Sequence, residues 1–190
     1  MPPKRTPPII IPPAIPPSDP SKSSAIIFIH GLNHDLTTTA WYLPTRLPPY
    51  PPSRPELEDD EDQEGRMASV DYIPSLFDDL VVQGVPAKRI VVVCFSQGHA
   101  MALLTGLVSK YSGRLGGLFE LSGYLPLADR IPTLREKAGL LKDVNDEVER
   151  LFGLGIKEEK TTIKEYENMG HIMSGAELRD LCAWLEKTLQ

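Results

Sequence analysis

The sequence predicts an α/β domain with a mostly parallel central sheet and helices on both faces. Three observations predict it. Short strand-patterned runs alternate with longer helix-patterned segments along the chain, which implies right-handed βαβ crossovers. The run Ile90-Val91-Val92-Val93-Cys94 is apolar without alternation, as in a strand buried on both faces of a parallel sheet. That run breaks at Phe95-Ser96-Gln97-Gly98 and continues as a helix-patterned segment, a strand-turn-helix transition with a serine at its apex.

The elements follow in chain order. Residues 1–24 form a proline-rich arm, with nine of the nineteen prolines between Pro2 and Pro20 around Ile9-Ile10-Ile11. Proline density excludes a helix, so the arm is expected to be extended or disordered. Residues 25–190 form the folded domain. Ala25 to Ile29 reads as a buried strand that a His30-Gly31 turn ends. Residues 47–65 are rich in proline and then acidic through 56–64, the pattern of a solvated, mobile loop. Helical patterns cover 69–82, 97–110 and 176–189, and strand patterns cover 90–94, 117–122 and 161–166.

Ser96 is the first candidate for chemistry. A serine on a tight strand-to-helix turn projects its hydroxyl at the carboxyl end of the sheet, and the next backbone N–H faces a developing oxyanion. The usual pattern places glycine two residues before it, where this chain has Cys94, a larger residue at a crowded position. An ordinary strand–helix connection is the bland alternative. His171, in Asn168-Met169-Gly170-His171 on the loop after the strand pattern at 161–166, can serve as general base because imidazole titrates near neutral pH. A surface-loop histidine is its alternative. In α/β-hydrolases the loop after the early strand supplies a second oxyanion N–H, which points to the backbone of Leu32 beside that of Gln97. His30 and His34 could also be read as a metal pair, but Gly31 argues against the helix that would align them, and no cysteine or carboxylate set completes a site. No metal or cofactor is expected.

Phe28-Ile29-His30-Gly31-Leu32, Gly84-Val85-Pro86-Ala87-Lys88-Arg89-Ile90, Phe95-Ser96-Gln97-Gly98, Leu121-Ser122-Gly123-Tyr124-Leu125-Pro126 and Tyr166-Glu167-Asn168-Met169-Gly170-His171 occur in one order. In that order the sequence resembles the acyl-protein thioesterase/carboxylesterase family of the α/β-hydrolase fold, its proline-rich opening being similar to fungal members. The resemblance implies a cytoplasmic serine hydrolase without cofactor, acting on acylated proteins, lysophospholipids or small carboxylic esters. It also implies a triad in the order Ser, Asp, His. Laid on the family pattern, Asp146 takes the acid position and Asp143 is the fallback, with two surface or helix-capping acids as the bland alternative. The family has a further central strand between Tyr42 and Met67 where this chain has prolines and acids, so the sheet is expected to lack one family strand.

Composition bounds the rest. A net charge of −6 with no basic stripe excludes a nucleic-acid binder. The apolar residues near the start are chopped by prolines, leaving neither a signal-peptide core nor a membrane span, though transient contact with a membrane surface stays open. Cys94 and Cys182 read as core residues of a reducing compartment. The chain is expected to be a monomer or weak homodimer. Two readings compete with the hydrolase: a catalytically impaired homologue that binds lipid or protein, and a scaffold that uses Pro13-Ala14-Ile15-Pro16 of the arm as a P-x-x-P ligand.

Overall fold

The structure, a computed structural model, describes residues 5–15, 17–32, 40–43, 62–140, 162–167 and 169–189. Among these residues the sheet has three parallel strands in the order β1 (Ala25–Ile29), β2 (Ile90–Phe95), β3 (Gly117–Leu121). The registers are Ala25 to Ile90 and Val91 to Gly117. β2 is central and its first five residues are buried, which is why its sequence does not alternate.

Helix α1 (Gln63–Val82) connects β1 to β2, and α2 (Gln97–Val108) connects β2 to β3. α1 starts inside the stretch expected to be a loop. Asp62 caps it, its carboxylate accepting the Gly65 N–H at 2.8 Å, so the acidic run ends in a helix N-terminus that favours negative charge. α1 and α2 cover one face, burying Ile73, Phe77, Ala100, Met101 and Leu104. The short α3 (Ile131–Lys137), which opens with Pro132 in its first turn, packs on α2. Sequence patterning did not anticipate it.

Helix α4 (Gly175–Thr188) lies on the opposite face. Alternation along β3 shows this: Leu118 packs toward Gly106 of α2, whereas its neighbour Phe119 meets Trp184 of α4 at 5.4 Å between ring centroids. A full capping box starts α4, Ser174 Oγ accepting the Glu177 N–H while the Glu177 carboxylate accepts that of Ser174. α4 covers the β3 side of this face, and Ile26 and Phe28 of β1 stay about half exposed.

Two expectations are corrected. Residues 162–166 form no strand. Ile163 is 86% exposed, so the alternating pattern has no core to face, and Lys164 and Tyr166 instead bond to the Asp180 carboxylate of α4. Cys182 is exposed on α4 and is not a core residue; Cys94 is buried. The expected missing strand falls within 43–66, most of which lies outside the described residues. No helix of the described residues is long and apolar enough to cross a membrane.

Candidate active site

Ser96 stands between β2 and α2 with φ 55° and ψ −121°, a conformation that non-glycine residues adopt only when their surroundings hold them there. Three features hold it. The Ser96 N–H donates to the Leu121 carbonyl at 3.0 Å, fastening the turn to the end of β3. An added Cβ at Gly98 would stand 2.1 Å from the Ile29 carbonyl oxygen, and one at Gly31 would stand 3.0 Å from Ser96 Cβ. Only residues without side chains let β1, its following loop and α2 converge on the serine. The Cys94 side chain is buried in the core cluster with residues of α1 and α2, and its Sγ lies 3.6 Å from the Phe119 carbonyl oxygen. Burial pushes its thiol pKa well up, which keeps it an inert neutral group.

His171 Nε2 lies 2.7 Å from Ser96 Oγ, and its ring stacks on Phe95 at 5.0 Å between centroids. Ser96 Oγ makes no capping bond to α2, so the hydroxyl is available to the imidazole. Gln97 opens α2, and the N–H groups of a first turn have no acceptor inside the helix. Leu32 follows Gly31 on the loop packed against Ser96. The serine, the histidine and both backbone positions read from sequence therefore share one end of the sheet. Asp146, Asp143 and His34 lie outside the described residues, whereas the His30 Nδ1 sits 2.6 Å from the Gly31 carbonyl oxygen.

Sequence reasoning missed Trp41 and the Gln97 side chain, which tie the two loops together. The Trp41 backbone N–H donates to Gln97 Oε1 at 2.8 Å, Gln97 Nε2 donates to the Tyr42 carbonyl at 2.9 Å, and the Trp41 indole N–H donates to the His30 carbonyl at 2.9 Å. Beneath them Tyr42 and Tyr124 share a hydroxyl contact of 2.9 Å, and Arg66 lies over the Tyr42 ring and donates to Tyr124. The one available sequence signal was an isolated Trp-Tyr pair in a polar stretch.

Glu120 of β3 borders a cavity of about 320 Å³ that Ser122, Tyr166, Met169, Gly170 and Glu177 also line. Burial raises its pKa to about 7, and burial also lowers that of His99, whose Nε2 is 3.8 Å away. Both shifts favour the neutral forms over an ion pair. A carboxyl whose folded pKa exceeds its ordinary 4.5 supports folding fully below pH 4.5 and loses that support as pH rises through 7, a swing of at most about 3 kcal/mol. Glu120→Gln is therefore expected to stabilise the protein by about 1–3 kcal/mol at pH 8 and hardly at pH 4. Urea unfolding at the two pH values checks this; an equal gain at both would contradict it.

Comparison with known proteins agrees with the geometry. The profile of the Phospholipase/Carboxylesterase family matches residues 53–144. Acyl-protein thioesterase 1 of Aspergillus fumigatus is 34% identical over 146 residues, 68% of this chain and 59% of that protein. Acyl-protein thioesterase 1 of Emericella nidulans is 30% identical over 176 residues, 83% of this chain and 72% of that protein. The chain belongs to the phospholipase/carboxylesterase family. Among solved structures, Arabidopsis thaliana SOBER1 superposes with a TM-score of 0.63 at 18% identity, covering 88% of this chain and 99% of that one. Zea mays acyl-protein thioesterase 2 does so with a TM-score of 0.60 at 20% identity, covering 93% and 97%. These likenesses give the chain the α/β-hydrolase fold. The matches span 59% and 63% of the Aspergillus fumigatus and Yarrowia lipolytica thioesterases, so this family member is aligned with under two thirds of either relative.

Proposed function

We propose that this chain is a serine hydrolase that cleaves carboxylic esters or thioesters through an acyl-enzyme, with acylated proteins or lysophospholipid-like esters as substrates. The observation that carries the proposal is the 2.7 Å contact between Ser96 Oγ and His171 Nε2 at a strained strand-to-helix turn. Ser96 Oγ attacks the carbonyl carbon while His171 Nε2 takes the hydroxyl proton. The negative charge that develops on the carbonyl oxygen is held by the N–H groups of Leu32 and Gln97. Collapse of the tetrahedral intermediate expels the thiolate or alkoxide, which His171 protonates. Water then repeats the sequence on the acyl-serine, releasing the acid and restoring both side chains. Asp146, or Asp143, orients the imidazole and balances its charge.

Relatives named acyl-protein thioesterase 1 support the thioester reading. The unpaired state of Cys94 and Cys182 supports a reducing, cytoplasmic setting. Hydrolysis of p-nitrophenyl acetate, octanoate and palmitate and of a palmitoyl-cysteine peptide tests the proposal. The expected result is turnover of at least one ester and of the thioester. A folded protein that cleaves none of them is instead a binding module on the same fold.

A further inference from the structure

The geometry points to Arg5, on the proline-rich arm, as a positioning residue for the oxyanion-binding loops. This deepens the hydrolase proposal and rests on it. The Arg5 guanidinium carbon lies 5.4 Å from the ring centroids of both Trp41 and Tyr72, whose own centroids are 6.5 Å apart. A planar cation facing two aromatic rings is held by both, and desolvation strengthens the contact. Arg5 Nη2 also donates to Ser69 Oγ of α1 at 2.5 Å and to the Trp41 carbonyl at 3.4 Å, and Ser69 Oγ lies 2.5 Å from that same carbonyl. The arm is thus fastened to Ser69 and Tyr72 of α1 and, beside the site, to Trp41.

That residue is the one that joins the two loops. Trp41 reaches the His30 carbonyl with its indole, two residues before Leu32, and the Gln97 side chain with its backbone N–H. Its carbonyl is fixed from the other side by Arg5 and Ser69. Leu32 and Gln97 must both stand about 3 Å from the oxygen on which charge develops, and a donor displaced by an ångström loses most of its effect. Fixing Trp41 therefore fixes the separation of the two donors. Downstream of Arg5 the arm carries Ile9, Ile10 and Ile11, each at least 80% exposed, so the fastening comes from Arg5 and not from apolar packing of these residues.

Arg5→Ala and Arg5→Lys in the full chain test this, assayed on a p-nitrophenyl ester that wild type cleaves. Acrylamide quenching of Trp41 is followed in parallel in a Trp184→Phe background. The expected result for Arg5→Ala is a fall in kcat of roughly tenfold with KM within twofold, an unchanged midpoint of the pH–rate profile, and Trp41 quenched more readily. Arg5→Lys is expected to lose most of the same activity, because a point charge on a flexible stem lacks the planar fork. Unchanged kcat, a change confined to KM, or unchanged quenching overturns the inference. If wild type cleaves no ester, the hydrolase proposal has failed and quenching alone decides whether Arg5 fixes Trp41.

Discussion

Ser96→Ala is expected to lower hydrolysis of any ester the wild type cleaves by ~10⁴–10⁶-fold while leaving the protein folded. The size follows from the chemistry: without Oγ no acyl-enzyme forms, and what survives is substrate binding beside the two backbone N–H groups. The fold should not notice the change. Ser96 Oγ caps nothing, and the turn is held by the Ser96 N–H to Leu121, which alanine keeps. Alanine at φ 55° meets the same backbone strain as serine, so stability should stay within about 1 kcal/mol. Initial rates and urea unfolding of the same preparation check both halves; a loss under tenfold would mean that another nucleophile acts.

Gly98→Ala is expected to destabilise the fold by about 3–5 kcal/mol, the largest effect of one added methyl at the glycines of the described residues. In an exposed helix the same substitution would gain up to about 1 kcal/mol, because alanine is the better helix former. Here the new Cβ would stand 2.1 Å from the Ile29 carbonyl oxygen and 2.5 Å from that of His30. Those oxygens belong to backbone at the end of β1, which cannot swing aside as a side chain could. Relief requires α2 to move off β1, which draws Gln97 at the start of α2 away from Leu32 on the loop after β1, so activity should fall together with stability. Gly106→Ala in the same helix is the control. The nearest atoms to its Cβ would be those of the Leu118 side chain, which can change rotamer, and the cost should be about 1 kcal/mol or less. Urea midpoints of the two variants separate the cases, and equal costs would contradict the account.

Sequence patterning located the parts of the fold with a repeating physical signature. β1 carries the predicted bounds, β2 runs one residue further and β3 ends one earlier; the continuous β-branched run is that of β2, which is buried at the centre of the sheet. The segment at 161–166 failed for the complementary reason: alternation signals a strand only where one face is buried, and Ile163 is exposed. The start of α1 was hidden because acidic residues read as a loop, although Asp62 is a cap. At the site, Ser96 and His171 were legible from motif and spacing, and they meet at 2.7 Å. Trp41 was not, because its contribution is two hydrogen bonds to residues 11 and 56 positions away, and no local pattern encodes such a tie. Gly98 was legible as a motif letter, whereas its contact with the β1 backbone needed the structure.

The central claim is that Ser96 is an activated nucleophile, and a fluorophosphonate tests it most directly, since the reagent reacts with activated serines regardless of the natural acyl group. Intact-mass analysis after exposure should show one adduct, on Ser96, absent from Ser96→Ala and formed at least a hundredfold more slowly in His171→Ala. Folded protein that stays unlabelled, or labelling that persists in Ser96→Ala, would contradict it.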